Sequence, residues 1–172
     1  MRLLIPLAAM LALSACGDND KTTTVTTADS EEIRITSDTD KNTESGTITF
    51  EGKDGEGKIT FGDAAAKEGL PLGLPVYPGG EVKGAFMGGG TGESGGMATV
   101  MTKAAPATVV DFYKAEAERR GFKISTRSTT STEKGEMASF SAKDADGGTL
   151  VVTATPAEDG GTAAVIIGGG KN

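Results

Sequence analysis

The chain has 172 residues, of which 26 are glycine, 37% are hydrophobic and 5% aromatic, with no tryptophan and no histidine. Seventeen Lys and Arg against 24 Asp and Glu give a net charge of −7. That balance argues against nucleic acid, whose affinity comes largely from basic contacts to phosphate. The lack of histidine removes Ser-His-Asp and Cys-His sets, most zinc sites and the commonest general base. A single cysteine allows no intrachain disulfide, so stability has to come from packing a small aliphatic core.

Arg2 precedes an apolar run over residues 3–13, broken by Pro6. The pattern fits the charged and hydrophobic regions of an export signal. The run is too short to span a bilayer, which takes about 20 apolar residues. It closes on Leu13-Ser14-Ala15-Cys16, which resembles the lipobox of bacterial lipoproteins. The resemblance implies cleavage between Ala15 and Cys16, thioether lipidation of Cys16 and acylation of the new amino terminus. The lipid bilayer is then the first partner, reached through acylated Cys16, and several acyl chains on one cysteine hold firmly. The competing reading is an ordinary cleaved leader with an incidental cysteine. Gly17 stands where an aspartate would favour inner-membrane retention in many lipoproteins, with Asp18 one place later, so the resemblance leans to the outer membrane.

Residues 17–29 (GDNDKTTTVTTAD) are polar and threonine-rich without apolar periodicity, and read as a disordered tether lifting the domain off the membrane. Apolar residues then alternate at Ile33 and Ile35, Ile48 and Phe50, and Ile59 and Phe61. GTITF (46–50) and GKITF (57–61) form a weak repeat around EGKDGEG, which predicts a β-hairpin with one apolar face. A β-solenoid is the other reading, but solenoids need about three repeats to bury a core. Residues 63–69 suit a short helical turn. LPLGLPVYPGG (70–80) carries three prolines and predicts a rigid connection, with Leu72, Leu74, Val76 and Tyr77 docking on the domain.

Strands are predicted at 82–87 and 97–102, with GGGTGESGG (88–96) as a long flexible tip between them. Residues 104–120 form the one clear helix, with Pro106 at its first position. Val109, Phe112, Tyr113 and Ala117 share one face, with Val110 and Ala115 alongside. Ala105 is a poor N-cap. Gly121 suits a left-handed C-terminal residue, with Phe122 folding back on the last turn. Four strands follow at 122–127, 137–142, 149–155 and 163–167, separated by STTSTEKG, KDADGG and PAEDGG. The expected fold is therefore α+β: an antiparallel meander with one amphipathic helix on one face, preceded by a β-hairpin and a tether. The segments are a signal peptide at 1–15, the lipidated cysteine and tether at 16–30, hairpins at 31–69, the α+β domain at 70–168 and a tail at 169–172.

VYPGG (76–80), the strand after it and APATVVDFYKAEAERRGFK (105–123) resemble a pattern in small proteobacterial envelope lipoproteins. That pattern has a YPGA-type segment, a strand, a V-x-x-FY helix ending in Gly-Phe or Gly-Trp, and a meander. Gly80 stands where it usually has alanine. The resemblance covers about residues 70–167 and implies a fold without naming an activity.

The chemistry-bearing motifs are weak. GGGTGESGG lacks the Gly-Lys-Ser/Thr ending of a phosphate loop and has no helix directly after it. KDGEG (53–57) and KDADGG (143–148) miss calcium-loop spacing, with only Asp144 and Asp146 paired. Glu116 and Glu118, two apart on a helix, point away from each other. Phe112 and Tyr113 read as core rather than pocket lining. No catalytic, metal-binding or cofactor-binding residue is assigned and no cofactor is expected. The leading expectation is a non-enzymatic, membrane-anchored binding module of the cell envelope, with an envelope protein as a further partner at a sheet edge or the glycine hairpin. The alternatives are a structural or stress-related envelope lipoprotein without a specific ligand, and a carboxylate-dependent hydrolase.

Overall fold

The computed structural model describes residues 20–26, 32–40, 44–53, 55–90 and 93–171. Ala15, Cys16 and the whole lipobox lie outside the described residues. Ten strands form one antiparallel sheet: β1 (Asp20–Thr26), β2 (Glu32–Asp40), β3 (Ser45–Gly52), β4 (Gly55–Phe61), β5 (Glu81–Gly90), β6 (Glu93–Thr102), β7 (Lys123–Thr132), β8 (Gly135–Lys143), β9 (Thr149–Pro156) and β10 (Thr162–Lys171). Their spatial order is β1-β2-β3-β4-β5-β6-β10-β9-β8-β7. Two helices, α1 (Asp63–Glu68) and α2 (Pro106–Arg119), pack on it, with a 3-10 turn at Pro71–Gly73. The expected α+β class holds, with strands dominating.

The repeat GTITF and GKITF does form a hairpin. β3 pairs with β4 in a register that sets Ile48 opposite Ile59 and Gly46 opposite Phe61. Three expectations need correction. Residues 20–26, read as tether, form edge strand β1 against β2, and threonine's β-branched side chain suits that role. The glycine tip expected at 88–96 is strand on both arms, with Gly88 opposite Gly95 and Gly89 opposite Ser94. The expected tail joins β10, which runs to Lys171. Glycine costs entropy in a strand but permits close backbone approach. A Cβ at Gly96 would stand 2.6 Å from the Phe86 carbonyl oxygen, so this position requires glycine. The hairpin segment and the stretch after the rigid connection share one sheet: β4 pairs with β5 from Gly55↔Gly90 to Phe61↔Gly84.

The core lies between the helices and one face of the sheet. Val100, Phe140, Leu150, Val152 and Ile166 point into it from the strands, each at most 2% exposed. Burying each such side chain contributes about 1.5–3 kcal/mol before entropy is counted. α2 supplies Val109, Val110, Tyr113 and Ala117, all fully buried, while Ala115, expected beside them, is exposed. Phe112 is half-buried and meets Tyr77 and Tyr113 edge-on, both at 5.1 Å between ring centroids. The helix closes as expected: Gly121 takes φ 85°, and the Phe122 N–H donates to the Ala117 carbonyl at 3.0 Å.

The proline-rich connection is pinned to this core. Leu70 and Leu74 are buried, and Leu72, Val76 and Tyr77 pack partly against it. Leu72 adopts φ 59°, a left-handed conformation rare for leucine. Its side chain fills the space over Gly168, where a Cβ would come within 2.8 Å. The Arg120 guanidinium donates to the Leu72 and Gly73 carbonyls at 2.6 and 2.7 Å, which holds the turn in place.

Candidate functional site

Successive side chains of a strand point to opposite faces, so the register decides what each face of the sheet carries. The helices cover one face. On the other, Ile48, Ile59, Phe86, Met97, Ile167 and Val151 stand directly opposite one another on six adjacent strands, β3-β4-β5-β6-β10-β9. They make one apolar row across the sheet. Five of the six are among the most exposed large hydrophobic residues: Ile59 36%, Phe86 40%, Met97 43%, Val151 38% and Ile167 47%. Half-buried Phe61 and Val165 extend the row on one side and Phe50 on the other. Taking strands about 4.8 Å apart and same-face residues about 6.6 Å apart, these nine residues make a patch on the order of 300 Å². A patch of that size is comparable with the largest on a typical monomer, which is often functional.

Beside this row runs a second row of glycines: Gly57, Gly88, Gly95 and Gly169 lie opposite one another on β4, β5, β6 and β10. The Phe86 ring leans over two of them, 3.4 Å from where a Cβ of Gly57 would sit and 3.2 Å from that of Gly88. No side chain covers Gly95 or Gly169 that closely. They floor a cavity of about 510 Å³ walled by Thr149, Asp146 and Gly147. A second cavity of about 580 Å³ opens on the helix side, lined by Lys58, Glu68, Leu72, Met87 and Gly168. Its Lys58 and Glu68 form an ion pair at 2.5 Å, so these two charges neutralise each other.

Charge is sorted between the two faces. Among the described strand side chains, the helix-bearing face carries Glu32, Asp38, Asp40, Glu51, Glu56 and Glu136 against Arg34, Lys58 and Arg127. Among the same described strand side chains, the charged ones on the open face are Glu81, Lys123 and Lys143, all at strand ends. Lys83, the extra residue of a bulge in β5, pairs with Glu81 at 2.5 Å. The other described strand side chains of the open face are aliphatic, aromatic, serine or threonine, or are glycines, while Asp146 of the turn after β8 walls its cavity.

The residues singled out in the sequence fall elsewhere. Asp144 caps its own turn, its Oδ1 accepting N–H groups of Asp146 at 2.9 Å and Gly148 at 2.7 Å, so it builds a loop. Glu116 is buried and ion-paired with Arg119, while Glu118 pairs with Lys114 at 2.8 Å, so the two carboxylates serve different partners. Tyr113 is core, as its helical spacing implied. Among the described residues no group of three or more His, Cys, Asp or Glu is placed to hold a metal, and no helix is long and apolar enough to cross a membrane.

Sequence reading missed the exposed row because alternation was taken as one buried face. A signal was present: AAVII (163–167) and LVV (150–152) are apolar without alternation, which means both faces of those strands are apolar. No curated protein and no solved structure matches the chain. Residues 84–161, from β5 to the turn after β9, match a family model described as START domain-like, short of half the chain.

Proposed function

We propose that this protein is a lipid-anchored, non-enzymatic binding module of a bacterial cell envelope, with the open face of its sheet as the binding surface. The observation that carries the reading is the cross-strand row from Ile48 to Val151, apolar and half exposed on a face that no element of the described chain covers. Exposing such a row to water is unfavourable, and covering it is the gain that drives binding. The likeness of residues 84–161 to a START domain-like family supports the same reading. The lipobox at residues 13–16 supports the anchor, and Gly17 supports the outer membrane as its location.

A photo-crosslinking residue at position 97, on the open face, tests it against one at position 115, on the solvent side of α2. In native cells position 97 should give a recurrent adduct, whether lipid or protein, several-fold above that at position 115. Equal yields at the two positions would remove the open face as a binding surface.

A further inference from the structure

We infer that the open face of the sheet lies on the very bilayer that anchors the chain, with Phe86, Met97 and Ile167 entering the lipid interface. This rests on the anchored reading above and names the partner of the same surface. The first support is reach. Read as sequence, residues 17–29 would hold the domain away from the membrane. The sheet instead begins at Asp20. Four Cα steps separate it from Cys16, at most about 14 Å in any conformation. A lipid on Cys16 therefore keeps the Asp20 end of the first strand close to the membrane surface.

The second support is charge. A chain of net charge −7 is repelled by anionic lipid unless its carboxylates face away. Of the described strand carboxylates, six lie on the helix side and one, Glu81, lies on the open face, where it is paired with Lys83; Asp146, of the turn after β8, stands at the cavity on that face. Lys123 and Lys143 stand opposite each other at the rim of the open face, where anionic headgroups would relieve their mutual repulsion.

The third support is area. Two copies meeting through this patch would bury about 600 Å² in total, below the range for a specific interface. A bilayer needs no such complementarity, and an acyl anchor holds the face close to it. The sheet also presents no bare donors there, because interior strands pair their backbone groups laterally.

The test uses the full-length lipidated chain in phosphatidylethanolamine and phosphatidylglycerol vesicles. Cys16 is the only native cysteine, so once acylated it leaves Ile167→Cys or Ala115→Cys as a unique site for a fluorophore. Lipids brominated near the headgroup should quench the label at position 167 several-fold more than that at position 115. Adding Phe86→Asp and Met97→Asp should bring position 167 down to the level of position 115 while the protein still floats with the vesicles. Equal quenching at the two positions in the parent chain overturns the inference. So does shielding of position 167 from aqueous iodide without lipid quenching, which would mean that a second copy covers the face. In both cases flotation, and crosslinking to a protein in cells, leave the binding reading standing. Failure to float removes the anchor and this inference together.

Discussion

Tyr113 lies fully buried under the proline-rich connection, where its hydroxyl oxygen accepts the Tyr77 N–H at 3.1 Å. Burial disfavours the phenolate and raises its pKa from 10.0 to about 12, against a smaller opposing effect of that hydrogen bond. Between those two values the folded chain keeps a proton that the unfolded chain has lost. Its contribution is therefore complete below pH 10 and is lost as pH rises towards about 12. Urea unfolding from pH 8 to pH 12 should show this decline, and Tyr113→Phe should flatten it. At neutral pH the same substitution should cost about 1–2 kcal/mol, because the Tyr77 N–H loses its acceptor. The core position of Tyr113 was legible from helical spacing. Its partner was not, since Tyr77 is brought to it only by the docked connection.

Among the elements, α2 was the most legible, with Pro106 at its start, a 3.6-residue apolar period and Gly121-Phe122 at its end. Its one defect is also visible in sequence. Ala105 occupies the N-cap, is exposed, and makes no side-chain cap hydrogen bond. Ala105→Ser should stabilise the protein by about 0.5–1.5 kcal/mol. A rise of roughly 1–6 °C in Tm by calorimetry would check it. The strands were less legible, and for a physical reason. Glycine reads locally as a turn, yet Gly88, Gly95 and Gly96 are strand residues, and at Gly96 the cross-strand Phe86 carbonyl oxygen would stand 2.6 Å from a Cβ, too close for a side chain. That requirement belongs to the pairing, which no local window contains.

At the scale of the molecule, the decisive feature is a sheet with one face packed and one face open. Val151 and Val152 are adjacent in β9 and chemically identical, yet Val152 is fully buried and Val151 is 38% exposed. Val152→Ala should cost about 2–3 kcal/mol, and Val151→Ala less than about 1 kcal/mol. Chemical denaturation of the two variants measures the difference directly. Similar losses would mean that something in the chain covers both faces. Membrane binding should show the reverse order, since only Val151 stands on the apolar row.

Composition and short-range pattern by themselves determined the α+β class, the helix with its ends, the β3–β4 hairpin and the exclusion of histidine chemistry. Each depends on residue identity or on spacings of a few positions. The tertiary structure alone decided that residues 20–26 belong to the sheet, that the glycine stretches are strands, and that Ile59, Phe86, Met97, Ile167 and Val151 form one row. That row joins residues from 59 to 167, so only the pairing register of distant strands could assemble it. Whether an apolar residue is core or contact surface depends on which face the helices cover, and that choice is made by packing.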